Sequence, residues 1–289
     1  MIKVEEHKEE KQKKPKKRIK KVFLIIRIIL LIIALITAYS YYAASRTVTA
    51  QLQIESGIVK VNGNIVNGNL KLSQGDIIET NDGLATVILY ESIVINLNKN
   101  TKINLEELTQ KHPQITQENG KTWNKFTKIS GVETYTIKTG NTVASVRATG
   151  FEISDNKILT GDGKVEYTID EKTFTVTAKR VVEKVNDEII ERDATKAELE
   201  EIKEYRQRTI AQLKLLRQNE IDKYKRFVDI VKSRYNITDE DIKQGFEAAD
   251  RGEWDISEIL KKSPVKAKPL KKIVEITKTI QQLNEELNQ

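Results

Sequence analysis

Residues 22–44 form an apolar run long enough to dictate the layout of everything that follows. Arg27 is the one charge in it, and the few polar groups near its end are small or aromatic. Its centre reads Ile28-Ile29-Leu30-Leu31-Ile32-Ile33-Ala34-Leu35-Ile36. As a helix it reaches about 34 Å at about 1.5 Å per residue, against a hydrocarbon core of about 30 Å. Arg27 falls within about a turn of the basic end, where its side chain can snorkel to the headgroups. Tyr39, Tyr41 and Tyr42 fall where an interfacial aromatic belt belongs. A buried core helix would be shorter and would keep a polar face. Ala43-Ala44-Ser45 would serve as a cleavage site, but the apolar part of a cleaved leader spans only about 7–15 residues. The run therefore predicts an uncleaved signal-anchor, a transmembrane helix.

Orientation follows from the flanks. Residues 1–21 hold 10 Lys/Arg and 4 Glu, while Arg46 alone follows the run closely. The positive-inside rule places the N-terminus in the cytoplasm and the rest outside. The protein is thus expected in the cell membrane as a single-pass chain with an extracytoplasmic C-terminus, its tail touching anionic lipid. The overall net charge of +7 invites a nucleic-acid reading, but from residue 46 onward 38 basic residues meet 38 acidic ones. A nucleic-acid-binding domain carries its basic excess in the folded body, so no nucleic-acid partner is expected. The absence of cysteine excludes disulfides, thiolate metal sites and a cysteine nucleophile. Two histidines, His7 and His112, are too few for a multi-histidine metal site.

From about residue 50 to 180 the text is strand-like, with short alternating runs divided by Gly, Asn and Asp. Asn62-Gly63 and Asn67-Gly68 are tight-turn dipeptides that tolerate positive φ. Residues 84–90 are apolar on both faces, the mark of a central strand, and Ile93, Ile95 and Leu97 line one side of the next. Phe174, Val176 and Ala178 alternate with Thr173, Thr175 and Thr177, as in a half-solvated strand. No strand–helix rhythm is present, which argues against a parallel doubly wound sheet. The expected fold class is mainly β, an antiparallel sandwich or open barrel of roughly ten short strands, followed by an α-helical C-terminal region.

The order of short motifs in this stretch resembles FecR-type domains over roughly residues 52–180. Leu72-Ser73-Gln74-Gly75-Asp76-Ile77-Ile78-Glu79-Thr80 followed by the Gly83 strand resembles the opening signature of that family. Residues 93–97 and 100–105 match its next two strands, and Gly120-Lys121-Thr122-Trp123 and residues 135–139 continue it. Val146-Arg147-Ala148-Thr149-Gly150-Phe151 stands where the family usually reads Val-Arg-Gly-Thr-x-Phe, with Ala148 in place of Gly. Gly161-Asp162-Gly163 resembles the closing hairpin. The motif residues Gly75, Asp76, Thr80, Arg147, Thr149 and Gly163 read first as structural: a Gly-Asp turn, strand-edge threonines, and an arginine that can pair a buried carboxylate or turn carbonyls. The resemblance implies a membrane-anchored, outward-facing β domain. Familiar members relay an outside signal to a sigma factor through a folded cytoplasmic segment, and a 21-residue Lys/Glu tail is too short to fold into one.

From about residue 193 the period changes. Leu199, Ile202, Ile210, Leu213, Leu216, Ile221, Tyr224, Val228, Val231 and Tyr235 recur at three and four, predicting an amphipathic helix over about 194–235. Thr195-Lys196-Ala197-Glu198 starts it as a capping box. Further helices are expected from Thr238 toward Ala249, near Asp255, and from Leu270 to about Leu287, with a Pro/Lys linker between the last two. The long apolar stripe must be buried, either inside the chain or in a coiled coil with a second copy, and Arg206 and Glu220 interrupt the heptads.

Catalytic and cofactor signals are weak. Gly120-Lys121-Thr122 follows Ile115, where a phosphate-binding loop needs Gly. His112 precedes a proline in a polar loop. Asp155, Asp162 and Asp170 sit at turns that suit calcium less well than ordinary turn formation. Trp123 and Trp254 can stack on sugars but read first as core, and Asn236-Ile237-Thr238 matches a glycan acceptor. The sequence therefore predicts no enzyme and no cofactor. It predicts an extracytoplasmic recognition or sensing module for an envelope protein or ligand, or else a structural tether that forms homo-oligomers through the C-terminal helices.

Overall fold

The computed structural model describes residues 50–127, 129, 131–147, 149–258 and 268–288. The predicted anchor, 22–44, and the basic tail lie outside them, and among the described residues no helix is long and apolar enough to cross a membrane. Eighteen strands are described. They are β1 Ala50–Ser56, β2 Val59–Val61, β3 Asn64–Ile65, β4 Leu70–Lys71, β5 Ile77–Thr80 and β6 Leu84–Leu89. Next come β7 Ile93–Leu97, β8 Thr101–Glu107, β9 Gln114–Asn119, β10 Lys121–Phe126, β11 Tyr135–Thr139 and β12 Thr142–Val146. The last six are β13 Gly150–Ser154, β14 Lys157–Asp162, β15 Lys164–Ile169, β16 Lys172–Thr177, β17 Arg180–Val185 and β18 Glu188–Asp193. Four helices follow: α1 Lys196–Lys223, α2 Lys225–Tyr235, α3 Asp239–Asp250 and α4 Lys268–Leu287.

The strands form two sheets of nine. One runs β18-β17-β14-β13-β10-β7-β6-β1-β4 and the other β16-β15-β12-β11-β9-β8-β5-β2-β3. All pairs are antiparallel except β9 with β11. From β6 onward the chain lays mostly hairpins alternately into one sheet and the other. Asn62 and Gly63 take φ of 51° and 80°, the pair of positive values that a two-residue hairpin turn requires.

One large core lies between the sheets. Ile93, Ile95 and Leu97 of β7 and Ala85, Val87 and Leu89 of β6 meet Ile103, Ile137, Val165 and Tyr167 of the other sheet there. In the second sheet, β11 and β12 alternate buried with partly exposed residues, as expected for a sheet with one solvated face. The first sheet does not alternate in this way: β7 is buried at all five positions. Its outward residues, including Val94, Trp123, Leu159 and Val181, are covered by the helices. Period-2 geometry sends neighbouring side chains to opposite faces, so a strand buried throughout requires a layer on each side.

The helical stripe finds that layer within its own chain. Ile210, Leu213 and Leu216 of α1 pack with Val94 of β7 and with Ile276, Ile280 and Leu283 of α4. A coiled coil through this stripe is therefore corrected, because the surface it needs is already covered. The expected continuous helix over 194–235 also breaks, at Tyr224, whose φ of −113° and ψ of 20° end α1 and begin α2.

Candidate functional site

The helix α1 is placed by a ladder of contacts along β7. At its start Thr195 accepts from the Glu198 amide at 3.3 Å, and Glu198 accepts from the Thr195 amide at 2.7 Å, the reciprocal capping box. Glu198 also receives Arg192 at 2.8 and 2.9 Å and Lys157 at 2.5 Å. Two turns on from Glu198, Tyr205 stacks on Trp123 with ring centroids 5.1 Å apart and planes 4° from parallel. Asn98 donates to the Tyr205 hydroxyl at 2.6 Å, and Asn96 donates to Thr209 at 3.3 Å. Val94 then meets the Ile210–Leu213–Leu216 stripe, and Lys223 reaches Glu91 at 3.1 Å. Seven strand residues and eighteen helical ones cover about the same distance, roughly 23–27 Å, so the two elements run side by side.

Electrostatics at this seam follow burial and pairing. The Arg192 guanidinium beside Glu198, with Lys157 and the Thr195 groups, holds that carboxyl well below the usual carboxylate range despite burial. Burial pushes the Glu152 carboxyl up, partly opposed by Lys121 at 3.3 Å. It also pushes the Tyr205 hydroxyl up. A carboxylate whose folded pKa is depressed stabilises the fold above its unfolded pKa and loses that contribution as pH falls through the folded one. The urea midpoint is therefore expected to drop below about pH 4.3. Glu198→Gln is expected to flatten this acid limb and to cost about 2 kcal/mol at neutral pH.

The second helix of the pair, α4, runs antiparallel to α1. Lys272 pairs with Glu220 at 2.8 Å, Thr277 accepts from Arg217 at 3.0 Å, and Glu286 pairs with Arg206 at 3.1 Å. Arg206 and Glu220, the two heptad breakers, are thus buried charges with partners. Lys272 also contacts Glu91, which draws the β6–β7 turn into the same cluster.

Beyond the sheet, α3 returns to α1 through the Asp250–Arg217 pair, and with α2 these helices flank a cleft of about 560 Å³. Ile221, Val228, Ile242 and Phe246 supply its apolar lining, and Lys214, Lys225, Asp229, Lys243 and Glu247 are among its charged residues. The Arg217 guanidinium forms its base, gripping Asp250 at 2.5 and 2.9 Å and lying 4.4 Å over the Phe246 ring. Arg217 and Asp250 are both buried. Thr238 caps α3 through a second capping box with Asp241. This arrangement can hold an apolar segment with flanking charges, because an apolar concavity with a few fixed polar groups favours burial and orientation together.

The sequence-predicted motif residues do not line this cleft. Gly75 takes φ +87°, and Asp76 accepts from the Ser73 amide at 2.7 Å and from Asn62 at 2.8 Å. Thr80, at the end of β5, is buried and accepts from the Thr101 amide at 3.0 Å. Arg147, Thr149 and Gly163 come together around a separate shallow depression of about 480 Å³ with Lys164 and Glu166. Thr149 donates to the Lys164 carbonyl at 2.9 Å, while Arg147 is exposed rather than paired with a buried carboxylate. His112 is exposed in its loop and shares a 2.7 Å hydrogen bond with Thr134. Asp162 pairs with Lys125 and Asp170 with Lys184, each at 2.8 Å. Among the described residues no three His, Cys, Asp or Glu side chains gather as a metal site. Trp123 is 1% exposed, which makes it core, while Trp254 is 39% exposed. The cleft had no signal in the sequence, because its lining comes from three helices whose approach is fixed by the buried Arg217–Asp250 pair.

Residues 76–171 match the FecR protein family. No curated protein matches the chain. Two crystal structures of a proposed anti-sigma factor from Parabacteroides distasonis are similar, each at 19% identity with a TM-score of 0.37. Each similarity covers 41% of this chain and 59% of that protein, so less than two thirds of the neighbour's length is spanned.

Proposed function

We propose that the chain is a single-pass, membrane-anchored regulatory module that recognises an envelope protein outside the cytoplasm and catalyses nothing. Residues 22–44 supply the anchor, the basic tail stays inside, and the sandwich with its helices stands on the far side. The observation that carries this reading is the cleft between α1, α2 and α3. It offers an apolar lining, charged residues of both signs and a fixed Arg217–Asp250 base. Such a groove takes a helical or extended segment whose apolar side chains recur on one face. The FecR match supports a regulatory role over a catalytic one. Gly75, Asp76, Thr80, Arg147, Thr149 and Gly163 serve the fold of the β domain on this reading.

A photo-crosslinking residue in place of Ile242, on the cleft, tests it in intact cells. A discrete adduct with a membrane or secreted protein is expected, and it should be lost when Phe246 is replaced by Glu. An Ile242 probe that yields no adduct with any envelope protein would remove the recognition role. Protease added to intact cells is expected to strip a C-terminal tag and spare an N-terminal one, and the reverse pattern would overturn the topology.

A further inference from the structure

We infer that α2 is an interfacial helix that lies on the anionic surface of the membrane holding the anchor. This rests on the membrane anchoring proposed above and adds a second, peripheral contact with the bilayer.

The argument starts from where α2 leaves the fold. Lys223, the last residue of α1, is tied to Glu91 in the β6–β7 turn. Leu89, two residues before Glu91, pairs with Ala50, the first residue of β1. The pole from which α2 departs is therefore the pole at which the chain enters the domain. Ala50 follows the apolar run by six residues, and six extended residues reach only about 20 Å. An anchored chain holds this pole close to the headgroups.

The helix itself has the composition such a position calls for. In Lys225–Tyr235, four basic residues oppose one acidic one. Ile230 stands two positions after the cleft-lining Val228, so the helix turns it about 200° away from the cleft. Ile230 is 65% exposed, the most exposed large hydrophobic side chain among the described residues. Arg226 and Arg234 are exposed as well, and neither lines the cleft. A basic helix with an outward apolar residue beside an anionic leaflet gains from both terms: apolar burial at the acyl boundary and attraction of the cations to the surface. The cleft takes up Val228 on another side of the helix, so the two contacts do not compete.

The chain contains no cysteine, so a single introduced thiol reports on one place. Full-length Ile230→Cys carrying an environment-sensitive fluorophore is reconstituted into vesicles of phosphatidylcholine alone, or with phosphatidylglycerol added. Lys196→Cys, at the opposite end of α1 and about 40 Å from Lys223 along that helix, is the control. Flotation of the vesicles reports the anchor, and quenching by quencher-bearing lipids reports α2. The expected result is strong lipid quenching at position 230 in the anionic vesicles and none at 196. Replacing Arg226 and Arg234, which flank Ile230 one turn to either side, by Glu should weaken it by roughly fivefold or more per charge. Protein that floats but leaves position 230 unquenched would overturn this inference and leave the anchoring intact. Protein that does not float overturns the anchoring, and this inference with it. Shielding at 230 that appears only at high protein-to-lipid ratio, without lipid quenching, would assign the surface to a second copy and overturn the inference.

Discussion

Trp123→Ala is expected to lower the stability of the folded region by about 3–5 kcal/mol, the range for removing a large buried aromatic side chain. Trp123 is 1% exposed and fills the joint between two layers, with Leu159 and Val181 beside it on the sheet and Ile202 and Tyr205 above it on α1. The space was prepared for it. A Cβ at Gly161 would fall 2.4 Å from its ring, and one at Gly150 would fall 3.1 Å from it. The cavity left by alanine is flanked by backbone that belongs to paired strands and cannot collapse inward. The loss should therefore fall on the docking of α1. Limited proteolysis is expected to cut within residues 194–289 well before the strands. Urea unfolding followed by circular dichroism measures the cost. A variant as stable as the parent, with its helices equally protected, would show that the stacked pair does not hold the layers together. Gly161→Ala should weaken the same joint by crowding rather than by emptying it.

Arg217→Ala is expected to cost about 3–5 kcal/mol, because it leaves the Asp250 carboxylate buried without its main partner. Asp250 is 3% exposed at its side chain, and its other cation, Lys214, is 3.5 Å away and nearly half exposed. The same guanidinium also bonds Thr277 and covers Phe246, so three helices lose a shared fixture. The paired replacement Arg217→Met with Asp250→Leu separates charge burial from packing. It should recover most of the loss, since an apolar pair of similar volume avoids the desolvation cost of two ions. Urea midpoints of the two variants against the parent decide this, and a double variant no better than Arg217→Ala would assign the loss to geometry instead.

Much of the β domain was legible because burial leaves a mark on pattern. Residues 84–90 read as apolar on both faces, and β6 is indeed buried on both from Ala85 to Leu89. The capping box at Thr195 read directly, since it depends on residues three apart, and the helix start read at Thr238 is closed by a second box with Asp241. Strand number did not. The strands β2, β3 and β4 are two or three residues long, too short to show a period, so roughly ten strands became eighteen. The β17–β18 hairpin is charged, and it turns on Asn186 and Asp187, both at positive φ without a glycine to announce it. Tyr224 breaks the long helix although apolar residues keep their spacing across it, from Ile221 through Val228. Arg206 and Glu220 looked like flaws in a stripe because their partners, Glu286 and Lys272, arrive from a helix more than fifty positions away. Arg147 was read from its apolar neighbours, and it lies instead just past the end of β12, at the surface.

The alternation of hairpins between the two sheets bears on how the chain can assemble. Each strand pairs with one made no more than three strands earlier, apart from β6 on β1. Contacts of such short sequence range close quickly and need little of the downstream chain. A chain delivered from its N-terminal end settles its sandwich progressively, beginning with the first-made strands. The helices, delivered last, would then cap a surface already built, so truncation after Asp193 should leave an ordered but sticky sheet rather than an unfolded one.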